Sequence, residues 1–179
     1  MSEDGYKGPA ITADVTRDLY PNGRENVYIL DVAAGTGMVG ERLIKHGFVK
    51  VDALDPSQGM LDEAREKGVY QKFICAYFDG KEQNIPPDTY DAVVICGGCT
   101  NMHLPCDCLR EVVRLVKPGG YFVMATRPFH LTTVDEYKGR FENLIDQIES
   151  EGKWTKIRKD TVPGYHGEHE GIVFVYKIN

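Results

Sequence analysis

The sequence predicts an α/β fold: a seven-stranded, mostly parallel sheet with helices on both faces and a C-terminal antiparallel hairpin. Three observations carry this. Short apolar runs alternate with segments of helical period over residues 27–126, which is the pattern of strand–helix units in a parallel sheet. The run YDAVVIC at 90–96 is apolar throughout behind one acid, as a strand buried on both faces requires. The last two strand-like stretches, 153–162 and 171–178, are joined by only 163–170, too short for a parallel crossover, so they pair antiparallel.

Taken in order, residues 1–8 are polar and read as a loose N-terminus. Ile11, Val15 and Leu19 give residues 9–20 one apolar face, and Pro21-Asn22-Gly23 stops that helix. Residues 27–32 form the first strand, 37–46 a helix, and 48–54 the second strand. Met60, Leu61 and Ala64 face a third helix that Gly68 ends, and 71–76 is the third strand. Residues 80–89 are polar loop. After the fourth strand, residues 97–105 form a loop and 106–116 a helix. Lys117-Pro118-Gly119-Gly120 reads as a hard turn before a fifth strand at 121–126, and a helical stripe follows from Tyr137 to Ile148. The charged residues of 153–159 suit an edge strand.

Composition narrows the function. A net charge of −6 argues against a nucleic-acid-binding surface, which needs clustered cations. No run reaches the roughly 18 apolar residues of a membrane span, and residues 1–10 lack a basic-then-apolar leader pattern. The five cysteines fit no disulfide framework, so a reduced, cytoplasmic, monomeric protein of one domain is expected. Cys96, Cys99, His103, Cys106 and Cys108 resemble a metal-ligand cluster. Cys96 should end a buried strand, however, and Cys106 and Cys108 should diverge on a helix, so buried thiols are expected instead. His166, Glu168, His169 and Glu170 read as a solvated hairpin turn.

The stretch YILDVAAGTGMVG at 28–40 contains Gly35-Thr36-Gly37-Met38-Val39-Gly40, a G-x-G-x-x-G between strand and helix, with Asp55 18 residues past Gly37. Free N–H groups at such a helix start hold nucleotide-like ligands. The glycines and Asp55 fit a dinucleotide, with the acid on the ribose hydroxyls, and so leave an NAD(P)-dependent oxidoreductase open. Asp31 discriminates. A carboxylate four residues before Gly35 would repel a pyrophosphate and favour a cation, such as the ammonium and sulfonium of S-adenosylmethionine (SAM). Each residue also has a plainer reading: Asp31 as a turn cap, Asp55 before Pro56 as a turn initiator, Met60 as core, Tyr77 as an exposed aromatic.

The segments LDVAAGTG (30–37), DALDPSQGML (52–61), YDAVVICGG (90–98) and LVKPGGYFVMATR (115–127) resemble the successive motifs of class I SAM-dependent methyltransferases, with a Rossmann-like sheet. The resemblance implies SAM as cofactor and S-adenosylhomocysteine as product. It implies that Asp31, Ala33 and the loop Gly35, Thr36 and Gly37 hold the methionine part. Asp55, with Pro56 beside it, would take both ribose hydroxyls, and Met60 would pack on the adenine. Ala76 and Tyr77 would face the adenine edge, and Cys96 and Gly97 the sulfonium side. Family members usually carry a further upstream helix that closes over the cofactor. It is not seen in MSEDGYK, where Tyr6 is the residue able to do part of its job. This leaves a cofactor-binding but inactive or regulatory protein as an alternative. No motif marks the methyl acceptor: there is no N-P-P-[YF] tetrad and no nucleophilic cysteine pair. Asn101, His103, Arg127 and His130, in the loops after the fourth and fifth strands, are acceptor-side candidates, with His103 a possible base. A small molecule or a protein side chain is expected as acceptor.

Overall fold

In a computed structural model of the protein, residues 5–99 and 104–179 are described. The helices are α1 (Gly8–Leu19), α2 (Met38–Lys45), α3 (Gln58–Glu66), α4 (Cys108–Leu115), α5 (Pro128–Thr133) and α6 (Phe141–Ser150). The strands are β1 (Tyr28–Val32), β2 (Lys50–Asp55), β3 (Lys72–Cys75), β4 (Tyr90–Cys96), β5 (Val116–Thr126), β6 (Trp154–His166) and β7 (His169–Ile178). They form one sheet in the order β3-β2-β1-β4-β5-β7-β6. The first five are parallel; β7 inserts antiparallel between β5 and β6, as the short last connection requires.

Alternation along the central strands sorts the core into two layers. Ile29, Ala92, Val94, Val123 and Ala125 pack with Ala13, Leu43, Leu61 and Ala64 of α1–α3. Leu30, Val93, Ile95, Phe122 and Met124 face the opposite way, onto Leu109 and Val112 of α4 and Phe141, Ile145 and Ile148 of α6. Both faces are covered, which is why these strands read as continuous apolar runs. The edge strand β6 carries Lys156, Arg158, Lys159 and Asp160, charges that block pairing with another chain.

Four features differ from the sequence expectations. The Lys117–Gly120 segment is not a turn before the fifth strand but an excursion within it. Tyr90 pairs with Val116 and Ala92 with Tyr121, so the four residues are extra to the ladder. Gly120 is needed there, because a Cβ would lie 2.4 Å from the Asp91 carbonyl oxygen. Asp91 fixes the region by accepting from the Tyr28 backbone N–H and from Lys117 Nζ, each at 2.8 Å. Second, a short helix, α5, follows β5, started by Pro128 at its first turn. Third, the hairpin is tighter than the expected 163–170 loop, since His166 pairs directly with His169. Fourth, residues 5–7 are tied down where composition suggests looseness. Tyr6 bridges to His166, Lys7 N–H donates to the Tyr165 carbonyl at 2.9 Å, and Gly167 N–H to that of Gly5 at 2.7 Å.

Aromatic stacking consolidates the hairpin side. The Phe122 and Trp154 rings lie parallel within 3° at 5.7 Å, and Trp154 stacks on Tyr176 at 4.5 Å. Phe122→Ala would open a void at one end of this stack, against Trp154. The expected cost is about 3–5 kcal/mol, read as a lowered urea midpoint with an unchanged slope.

Candidate active site

The site lies at the carboxyl ends of β1, β2 and β4, where an open parallel sheet leaves a crevice beside its central strand. After β1 the chain turns sharply. Ala33 has φ 58°, unusual for a residue with a side chain, and Gly35 and Gly37 follow at 54° and 88°. Gly37 caps α2 in the left-handed conformation. Gly40 answers a different need: a Cβ there would meet the Tyr70 ring at 2.4 Å. The third glycine of the motif therefore lets α2 settle onto Tyr70.

Tyr70 reveals why. Its hydroxyl donates to Asp31 Oδ2 at 2.5 Å and accepts from Gly40 N–H at 3.2 Å. Asp31 is 1% exposed, and its other oxygen, Oδ1, is buried without a hydrogen-bond partner among the described residues. Burial pushes its carboxyl up to about 7; the Tyr70 hydrogen bond pulls it down, and the Asp55 charge adds to the rise. One oxygen of this buried carboxylate is therefore paired and the other is not, which is costly for the charged form.

Asp55, at the end of β2, uses its oxygens differently from the expectation that both await ribose hydroxyls. Oδ2 accepts from Gly35 N–H at 2.9 Å and Oδ1 from Ser57 N–H at 2.8 Å. The carboxylate thus straps the glycine loop to the turn before α3, and each oxygen keeps a lone pair for a ligand. Ser57 then caps α3 by accepting from Met60 N–H.

Around these groups is a cleft of about 320 Å³. Of the residues the sequence singles out, Ala33, Gly35, Asp55, Pro56, Met60, Tyr77, Cys96 and Gly97 line it; Thr36, Gly37 and Ala76 do not. Asp31 lies beneath the lining, yet its charge acts on the Cys96 thiol and the Tyr6 phenol. Met60 is 47% exposed, so it is not core, and its sulfur lies over Gly35. Leu54, Ser57, Phe78, Gly98 and Leu104 also line the cleft and were not foreseen. Phe78 and Leu104 look like ordinary core residues, and no sequence signal sets them apart.

On the far side of Gly97 lies a smaller cleft of about 190 Å³, lined by Tyr6, Gly97, Thr126, Arg127, His130, Tyr165 and His166. It gathers His130 and Arg127 from the acceptor-side candidates; Asn101 and His103 lie outside the described residues. Burial, with Arg127 adding to it, shifts the His130 ring below its ordinary imidazole value.

The cysteine expectation needs one correction. Cys106 stands before α4 rather than on it, so the divergence of Cys106 and Cys108 is not a matter of helix phase. Cys99, Cys106 and Cys108 are buried thiols, and burial pushes Cys106 up to about 12.

Residues 29–120 match the profile of a methyltransferase domain family. The chain is 32% identical over 149 residues to human methyltransferase-like protein 27, covering 83% of this chain and 60% of that protein. It is 38% identical over 97 residues to demethylmenaquinone methyltransferase of Renibacterium salmoninarum, covering 54% and 40%. The chain thus spans three fifths or less of these curated relatives. A solved structure of an S-adenosylmethionine dependent methyltransferase from Mesorhizobium loti superposes with a TM-score of 0.67 at 17% identity, over 95% of this chain and all of that one, which shows the shared fold.

Tyr70→Phe would leave Asp31 with no donor. The folded-state carboxyl midpoint is already above the unfolded one, so the stability it confers is full below about pH 4 and is lost as pH rises through about 7. The variant should therefore lose about 1–3 kcal/mol at pH 8 and less at pH 5. Urea unfolding at the two pH values checks the order.

Proposed function

We propose, from the premise that the chain belongs to the methyltransferase domain family, whose cofactor is SAM, that it transfers a methyl group from SAM to a small molecule or a protein side chain. The observation that carries this reading is the bare, buried Oδ1 of Asp31 below the glycine loop. A pyrophosphate beside that carboxylate would be repelled, whereas an ammonium supplies the missing donor and a compensating charge.

The remaining residues fit the same ligand. In this reading Asp31 holds the ammonium, and the loop from Ala33 through Gly35, Thr36 and Gly37 shapes the backbone around the methionine part. Asp55 accepts from the ribose hydroxyls while still strapping Gly35 and Ser57, with Pro56 fixing the turn. Met60 and Tyr77, both exposed on the rim, cover the base, with Ala76 behind them, and buried Phe78 walls the cleft. Cys96 and Gly97 border the side facing the second cleft. When bound, the cofactor supplies an electrophilic methyl carbon. The protein's contribution is then alignment of an acceptor with that carbon, exclusion of water and removal of the acceptor's proton.

The acceptor belongs to the proposal. The net charge of −6 disfavours nucleic acid, and relatives named for demethylmenaquinone support a small molecule. Within the family, VAAGTGMVGE, DPSQGML and KPGG resemble the methyltransferase-like protein encoded in the Williams–Beuren syndrome chromosomal region, and we place the chain beside it.

Calorimetry tests the assignment. S-adenosylhomocysteine should bind and NAD should not; NAD binding the tighter of the two would end this reading. Because an ionised Asp31 is the form that meets the ammonium, binding at pH 6 should release up to one proton, and the release should fade above pH 8. Asp31→Asn should weaken S-adenosylhomocysteine by at least about tenfold. The same variant should leave 5′-methylthioadenosine, which has no ammonium, bound as before.

A further inference from the structure

Gly97 faces two clefts. On one side it borders the cleft of Asp55 and Met60, and on the other the cleft of Arg127, His130 and Tyr165. The two are parted by a cluster of small polar contacts. Tyr6 Oη lies 3.3 Å from Cys96 Sγ and 3.4 Å from Tyr165 Oη, and Tyr165 Oη donates to the Ala125 carbonyl at 3.1 Å. Gly97 has φ +72°, and a Cβ on it would sit 2.7 Å from Tyr6 Oη. Only a glycine allows the phenol to lie against the strand end, so the partition is a single residue thick there.

The second cleft differs from the protein around it in charge. In a chain of net charge −6 its lining, among the described residues, contains no Asp or Glu, but an arginine and two histidines. The arginine is held unlike most others. Arg110, Arg114 and Arg140 are each bound to a carboxylate, whereas the Arg127 side chain has no hydrogen bond or ion pair among the described residues. Its guanidinium lies over the Phe129 ring, 5.7 Å from the centroid. This is a loose cation–π contact that uses none of the guanidinium N–H groups, which stay available to receive a carboxylate or phosphate in two parallel hydrogen bonds. Thr126, the residue before it, is fully buried, with its hydroxyl beside the Cys99 thiol. The ring of His130 adds a second polar group on the same wall.

We propose that this second cleft holds the methyl acceptor, and that the acceptor is a small molecule bearing a carboxylate or phosphate group bound by Arg127. The proposal rests on the methyltransferase reading for what lies across Gly97. The volume of about 190 Å³ falls below the ~300–1,000 Å³ of sites for drug-sized ligands, so the acceptor is small or only its reacting end enters. Tyr6 and Tyr165 flank that end and keep water from the partition. Arg127 is a positioning residue: it anchors the acceptor's charge and turns a nucleophilic atom toward Gly97, where that atom would bond to the methyl carbon as the methyl–sulfur bond breaks, S-adenosylhomocysteine leaving and the acceptor's proton passing to solvent or to the His130 ring.

The test is an NMR titration of ¹⁵N-labelled protein with benzoate, benzamide and benzylamine, run both without and with S-adenosylhomocysteine. The Arg127 Nε and His130 ring signals should move saturably with benzoate, less with benzamide and least with benzylamine. Arg127→Met should weaken benzoate by at least about tenfold, and Arg127→Lys should restore part of the loss. An unchanged S-adenosylhomocysteine affinity in Arg127→Met would show that the variant is folded and that the effect belongs to the second cleft. Benzylamine binding as tightly as benzoate, or benzoate binding Arg127→Met as it binds the unaltered protein, would overturn the proposal. Failure of S-adenosylhomocysteine to bind the unaltered protein would overturn the methyltransferase reading instead, and the titration without it would still decide the charge preference of the cleft.

Discussion

A carboxylate buried at the end of the central strand sets the terms for everything near it. Asp31 sits where neighbouring strands exclude water, and burial of a charge is costly unless it is paired. One oxygen is satisfied by Tyr70, 39 residues away. That hydrogen bond requires the Tyr70 ring to lie against α2, and the ring's position requires Gly40 to have no side chain. The glycine motif is thus a packing solution as well as a ligand loop. The other oxygen has no hydrogen-bond partner among the described residues, a local cost of the kind that proteins tolerate at functional sites.

A second carboxylate makes the arrangement rigid. Asp55 holds the loop after β1 and the turn after β2 at once, through Gly35 and Ser57. Two strands that are only neighbours in the sheet are thereby locked together at their carboxyl ends, where the parallel ladder itself has run out. Such second contacts keep a loop from sampling conformations that would cost binding energy to correct.

Most of the architecture was legible because it follows from chain-local constraints. A connection of eight residues forbids a parallel crossover, so the hairpin was readable from 163–170 alone. The apolar run at 90–96 could only be a covered strand. The lining of the candidate cleft was legible where its residues belong to the glycine loop or to strand ends, as with Gly35, Asp55 and Cys96. It was not legible where the partner is chosen by packing: Tyr70 carries no mark of its contact with Asp31, and Phe78 and Leu104 are indistinguishable from core. The Lys117–Gly120 segment misled for a different reason. Proline and two glycines specify a departure from regular geometry, but not whether the chain then reverses or, as here, rejoins the same strand.

The partition at Gly97 is built from both ends of the described chain. Tyr6 comes from the segment before α1 and Tyr165 from the end of β6, 159 residues later, and they meet over Cys96. On a ribosome the first of these emerges long before the second. The strand–helix units that carry Asp31 and Asp55 can assemble from local contacts while translation continues, whereas the wall between the clefts must wait for the hairpin to be released. A nascent chain would then acquire its first cleft well before its second.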